Sequence, residues 1–237
     1  MYWARTNGNR RYPGEVRALP GKASRQPPGP QPVSRDAAAA DQRRRILEAT
    51  ADLVAEHGYQ GATIETIVRR GKVGYATFYK NFEDKEQCYL ALLDAAYGVT
   101  AHRVQRAYER EQEWPDKVAA GLGALFETIA EHPSVGRACV VDALTAGPEA
   151  VARHEAMLKG FMPLLKPGRE LNPRRAKLPE TLEDTLIGGV LWVLNQRLIA
   201  GEAEALRGLL PETIEFVLRP YVGEDRAARE AELAASS

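Results

Sequence analysis

Between Gly61 and Phe82 stand four cations, Arg69, Arg70, Lys72 and Lys80, opposed in that stretch by Glu65 alone. Thr77 and Tyr79 lie among them, and their hydroxyls can donate to anionic oxygen. That combination suits holding phosphates better than breaking bonds. Groups of a catalytic kind do not gather in the same way. None of the five serines sits in a Gly-x-Ser-x-Gly turn, and there is no phosphate-binding glycine loop, no His-Glu-x-x-His, and no Cys/His pair at catalytic spacing. His57, His102, His132 and His154 share no ligand spacing and are expected on the surface or at helix ends. No catalytic residue, metal or cofactor is therefore expected.

The elements that must position the cations can be read from periodicity. Ile46, Leu47, Thr50, Leu53, Val54 and His57 recur at three- and four-residue steps, which predicts an amphipathic helix that Gly58 stops. Thr63 is a candidate N-cap for a two-turn helix with Ile64, Ile67 and Val68 on its apolar face. A tight turn follows at Gly71-Lys72-Val73-Gly74, where glycines would supply positive φ and Val73 would plug the core. A second short helix is predicted over 75–81, with Phe78 and Phe82 pointing inward. Two short helices joined by a glycine-containing turn and preceded by an amphipathic helix describe a helix-turn-helix, whose last helix would enter the major groove.

Arg45 to Ala49, Glu56-His57-Gly58-Tyr59, Ala62-Thr63-Ile64, Val73-Gly74, Thr77-Phe78-Tyr79, Asn81-Phe82 and Asp84-Lys85-Glu86 together resemble the signature of the TetR/AcrR family in residue type, order and spacing. The resemblance implies a homodimeric, ligand-responsive transcriptional regulator, by default a repressor, that binds a palindromic DNA operator. It implies phosphate contacts at Thr63 and Lys85, a recognition helix lined by Gly74, Tyr75, Thr77, Tyr79 and Lys80, and a hydroxyl–phosphate bond from Tyr79. Independent physics supports Lys85, since a helix N-terminus presents free N–H groups to anions, and Asp84 with Gln87 fits a capping box there. The family's Ala-Gly-Val-Ser turn is replaced by Gly71-Lys72-Val73-Gly74, with bulky Tyr75 and then Ala76 following. That departure bears on base preference and leaves the fold expectation intact.

The chain has 237 residues and zero formal net charge, but the charge is unevenly distributed. Residues 1–45 hold ten Arg/Lys against three Asp/Glu, and the remainder is correspondingly acidic. A basic front on an acidic body is a prior for a polyanionic partner. The longest apolar stretch, Leu186–Leu194, is far short of the ~18 residues of a spanning helix. Two cysteines cannot build a disulfide framework, and a cytoplasmic protein is expected. The Pro-, Gly- and Arg-rich residues 1–40 are expected to be disordered. An all-α fold of roughly ten helices should follow, with a DNA-binding domain at 41–90, an effector-binding and dimerisation domain at 91–223, and a fraying tail at 224–237.

Helix 4 is expected from Lys85 to about Ala96. In the body, Leu182–Ile199 is apolar on nearly all sides, as in a helix buried on two faces. With Ile214–Tyr221 it should pair with a second copy, Gly188 and Gly189 allowing close approach. Which of its faces turns outward is open, and Ile187, Leu191 and Val217 are candidates for the interface. A small, largely apolar effector is expected from the resemblance, with Trp114, Phe126, Cys139, Met157, Phe161 and Trp192 as candidate walls. The alternatives are a constitutive or architectural DNA binder without an effector, or a helical cytosolic enzyme.

Overall fold

The structure is a computed structural model that describes residues 35–172 and 178–235. Among these residues the regular secondary structure is all helical, with no strand. The basic extension expected to be disordered lies largely outside them, except that residues 35–40 already belong to the first helix.

That helix, α1, runs Arg35–Gly61 and breaks where Gly58 takes φ 72, a left-handed conformation that only glycine adopts readily. Ile46, Leu53 and Val54 are buried on one stripe, and the Thr50 hydroxyl donates back to the Ile46 carbonyl. α2 (Ile64–Arg70) starts at Thr63, whose side chain accepts from the Thr66 amide while Thr66 Oγ1 accepts from the Thr63 amide. α3 (Tyr75–Asn81) follows a turn in which the expected backbone is corrected. Gly71 and Gly74 have negative φ, and Lys72 is the residue at φ 51. Glycine at 71 matters for space instead, because a Cβ there would lie 3.2 Å from the carbonyl oxygens of Arg45 and Ile67.

α4 spans Lys85–Arg110, about a dozen residues beyond the expected end. At 1.5 Å per residue it is about 39 Å long. Its first half (Cys88, Tyr89, Leu92, Leu93) packs in the core around α1–α3, whereas Val104 packs in the body, so one rigid element crosses both. Prolines at the first turns of α5 (Trp114–Glu131), α6 (Pro133–Val140) and α7 (Pro148–Leu165) sit where a missing N–H costs least. The head's core does not stop at residue 90, since Ala138, Cys139, Ala143 and Ala150 of the α6–α7 region belong to it.

α8 (Leu182–Ala200) turns Leu186, Val190, Leu194 and Leu198 inward, and α9 (Leu206–Val222) buries Ile214, Val217, Leu218 and Tyr221. Pro211 lies inside α9 and not at its start. Glu183 at the head of α8 is buried as one end of a bidentate pair with Arg169 (2.7 and 2.6 Å), and it accepts from the Tyr221 hydroxyl. The tail expected to fray is α10 (Glu224–Ala235), docked through Ala227 and Ala231.

Candidate nucleic-acid interface and effector cavity

α3 is held from beneath by Phe78, fully buried, and by Phe82 just past its C-terminus, their ring centroids 5.7 Å apart. Its opposite face is left free. Tyr75 is 51% exposed and Tyr79 56% exposed, and Gly74 and Lys80 are exposed beside them. Thr77 is half-buried, its carbonyl accepting from Asn81 Nδ2. Thr63 is exposed at the start of α2, its hydroxyl already engaged with Thr66. Two exposed tyrosines amid cations make a surface that can both stack and hydrogen-bond.

The cations are not equally available. Arg70 forms a bidentate pair with Glu56 at 2.7 and 2.8 Å, which makes it part of the scaffold. Arg69, Lys72 and Lys80 are exposed, Arg69 only loosely opposed by Glu65 at 3.9 Å. Lys85 folds back: Nζ donates to the Tyr59 carbonyl at 2.9 Å and lies 4.2 Å from the Tyr59 ring centroid. Partial burial lowers its pKa. It therefore anchors α4 to the end of α1 as well as standing at the α4 N-terminus, where Asp84 accepts from the Gln87 amide. Arg43 on α1 is a further cation beside α3 that periodicity did not single out. Its guanidinium lies 4.4 Å from the Phe82 ring centroid, and Nη1 donates to the Asn81 carbonyl at 3.4 Å.

In the body, a cavity of about 110 Å³ opens among α4, α5, α7, α8 and α9. Its wall is almost entirely aliphatic: Leu122, Leu125 and Ile129 from α5, Leu158 and Leu164 from α7, Ile187, Val190 and Leu191 from α8, with Met157 and Phe161. The hydroxyl of Tyr108 is committed to the Leu164 carbonyl at 3.2 Å. A water needs about 10–15 Å³ and two to four polar partners, so this space has the volume for several waters and little to hold them. An apolar guest suits it better.

Of the candidate walls, Met157 and Phe161 line this cavity. Cys139 borders the adjoining groove beneath α1, its thiol pushed up to about 12 by burial. The other three are corrected. Trp114 is packed shut in the core, its Nε1–H donating to the Leu164 carbonyl at 2.9 Å and its ring 5.0 Å from that of Tyr221. Phe126 is buried away from the space. Trp192 points out of the fold at 65% exposure.

Ile187 and Leu191 face the cavity and Val217 is buried, so the outward apolar positions are Trp192, Ile199 and, on α9, Phe216 at 48% exposure. Gly188 is open to solvent, whereas a Cβ at Gly189 would meet the Phe216 ring at 3.0 Å.

His154 is also corrected, for it is buried and not at the surface. Its Nδ1 is 3.1 Å from both the Cys139 carbonyl and the Tyr97 hydroxyl, and Tyr97 donates to the same carbonyl at 3.0 Å. Nε2 is buried without a partner, and burial lowers the histidine pKa. Tyr89 donates to the neighbouring Ala138 carbonyl at 2.6 Å. The end of α6 is thus stitched to α4 and α7 through carbonyls that the helix itself leaves unpaired.

Residues 46–92 match the family model described as bacterial regulatory proteins, tetR family. Over 166 residues the chain is 20% identical to the fatty acid metabolism regulator protein of Bacillus subtilis, a match covering 65% of this chain and 84% of that one. The transcriptional activator FasR of Mycolicibacterium smegmatis is 29% identical over 97 residues, 40% of this chain and 44% of that protein. The fold is similar to that of the regulator FadR from Bacillus subtilis in complex with stearoyl-CoA, with a TM-score of 0.63, 17% identity, and coverage of 74% of this chain and 97% of the other. No helix among the described residues is long and apolar enough to cross a membrane. With a capped α2, a tight turn and an exposed α3 inside the matched segment, residues 46–92 form the helix-turn-helix head of the TetR family of transcriptional regulators.

Proposed function

We propose that this chain is a cytoplasmic repressor that binds a palindromic operator as a homodimer and is released by a small molecule with a long apolar chain. The observation that carries the reading is the pairing of an exposed, cation-flanked α3 with an aliphatic cavity beside α4, the helix that joins the two. The similarity to a regulator of fatty acid metabolism, and the stearoyl-CoA bound by a protein of similar fold, favour an alkyl or acyl chain as the guest.

In this reading Thr63, Gly74, Tyr75, Thr77, Tyr79, Lys80 and Lys85 make the DNA surface, and Trp192, Ile199 and Phe216 centre the dimer interface. Identical heads related by a two-fold axis must read mirrored half-sites about 34–36 Å apart or a multiple of that spacing. Selection of bound duplexes from a random library, followed by footprinting, is the test. Enriched inverted repeats protected on both halves are expected, and enrichment of single, unpaired sites would refute the dimeric reading. Added dodecanoyl-CoA should then release the DNA; a constitutive binder would hold it unchanged.

A further inference from the structure

Two further hollows adjoin the cavity, share lining residues with it, carry charged residues among their linings, and are its candidate exits. One is a slot between α4 and α7, where Met157, Phe161 and Leu164 also line the inner cavity. The cation at its mouth, Arg153, is already held between two carboxylates, Asp94 at 3.0 Å and Glu149 at 3.0 Å. An anion arriving there meets more negative charge than positive. The other exit is a groove of about 510 Å³ running beneath α1. It shares Leu125, Ile129, Val140 and Met157 with the cavity, and Met157 is an unbranched side chain that can swing aside. The charged residues of that groove are Arg43 and Arg44 against Glu48. Arg44 pairs with Asp41 and Glu48, whereas no carboxylate among the described residues pairs with Arg43.

We infer that an effector with an alkyl tail and an anionic head lies along this second exit, tail in the cavity and head at Arg43, and that Arg43 carries its signal to the recognition helix. The inference rests on the alkyl-effector reading above. Arg43 now holds the last residue of α3 through the Asn81 carbonyl at 3.4 Å and covers the Phe82 ring. The carbonyl bond is long and neutral on its acceptor side. A carboxylate or phosphate adds ion-pair attraction and can take both arms of the guanidinium fork, which a single carbonyl at 3.4 Å cannot, so a head group in the groove outcompetes Asn81 for Arg43. Seating the head frees the C-terminal end of α3 and also separates α1 from α4. The ligand thereby reaches the DNA-binding head directly, without relying only on a tilt of α4.

The test is calorimetry without DNA, using dodecanoate, dodecanoyl-CoA and neutral dodecanol as probes on the full chain. Arg43→Gln should weaken the anionic probes by about tenfold or more and leave dodecanol within about twofold. Loss for the thioester alone would identify phosphate as the partner, and loss for both would include the carboxylate. Arg153→Gln should leave all three unchanged, and Leu122→Trp, which fills the cavity, should abolish all three. If Arg153→Gln weakens the anions and Arg43→Gln does not, the head lies between α4 and α7 and the inference is overturned. If the wild-type protein binds none of the probes, the alkyl-effector reading itself fails. As a second readout, the factor by which saturating dodecanoyl-CoA lowers operator affinity should shrink in Arg43→Gln; an unchanged factor removes Arg43 from the signal path.

Discussion

At the scale of single residues, the hydroxyl of Tyr79 and the ammonium of Lys80 do separable things. Both are exposed on α3; the Tyr79 ring also meets the buried Phe78 edge-on at 5.6 Å, a contact that the phenylalanine variant keeps. Tyr79→Phe removes the hydroxyl that bonds a phosphate in the proposed docking, and should cost about 1–2 kcal/mol of operator affinity, a factor of roughly 5–30, on every sequence alike. Lys80→Ala should flatten the dependence of log affinity on log salt by about one unit. Binding titrations at several salt concentrations check both, and unchanged affinity and slope would move the DNA surface off α3. Lys85 differs because its ammonium also ties α4 to Tyr59, so its removal should lower the melting midpoint as well as DNA binding. Several of these roles were legible in the sequence because they are local. Thr63 and Asp84 precede their helices at capping distance, and Phe78 and Phe82 share one helical face. Arg43 was not legible, since three consecutive arginines point in three directions and only the packed position of Phe82 selects one.

At the scale of elements, α6 joins the others. It packs in the head's core through Ala138 and Cys139, and its C-terminal carbonyls accept from Tyr89 and Tyr97 of α4 and lie against His154 of α7. The buried imidazole has a lowered pKa because burial disfavours its charged form, and a second N–H at Nε2 would meet no acceptor. In the unfolded chain the ordinary value is 6.5. Above it both states are neutral and His154 adds no pH dependence. As pH falls below it the unfolded chain takes a proton that the folded one refuses, so stability drops by up to about 1.4 kcal/mol per pH unit. The melting midpoint of the wild type should therefore fall more steeply between pH 6.5 and 5 than that of His154→Gln, and parallel curves would contradict the neutral buried imidazole. The sequence could not place this residue, because a single histidine has no period. α10 escaped for a related reason: alanines four apart carry little apolar signal, yet they let two helices approach closely.

At the scale of the whole molecule, the outward apolar residues and the cavity must act together. Trp192→Glu puts a charge at the centre of the proposed interface while leaving the inward stripe of α8 untouched. Obligate interfaces bury upwards of about 2,000 Å² and resemble a core cut in half, so one buried charge there should yield monomers in sedimentation. Such monomers should lose the full operator, and an intact dimer would place the contact elsewhere.

The proposed dimer also sets what an effector can do. Two heads on α4 levers bind a palindrome only when their separation matches the half-sites, and an effector lowers operator affinity only if it binds better to the mismatched arrangement. A coupling of about 1–3 kcal/mol loosens the operator about 5–150-fold, and by thermodynamic necessity saturating operator must weaken effector binding by the same factor. Calorimetry of dodecanoyl-CoA with and without operator measures this directly. Matching factors in the two directions would establish the cavity and α3 as ends of one equilibrium, and equal effector affinity in both titrations would make the protein a constitutive binder whose cavity has no say in DNA release.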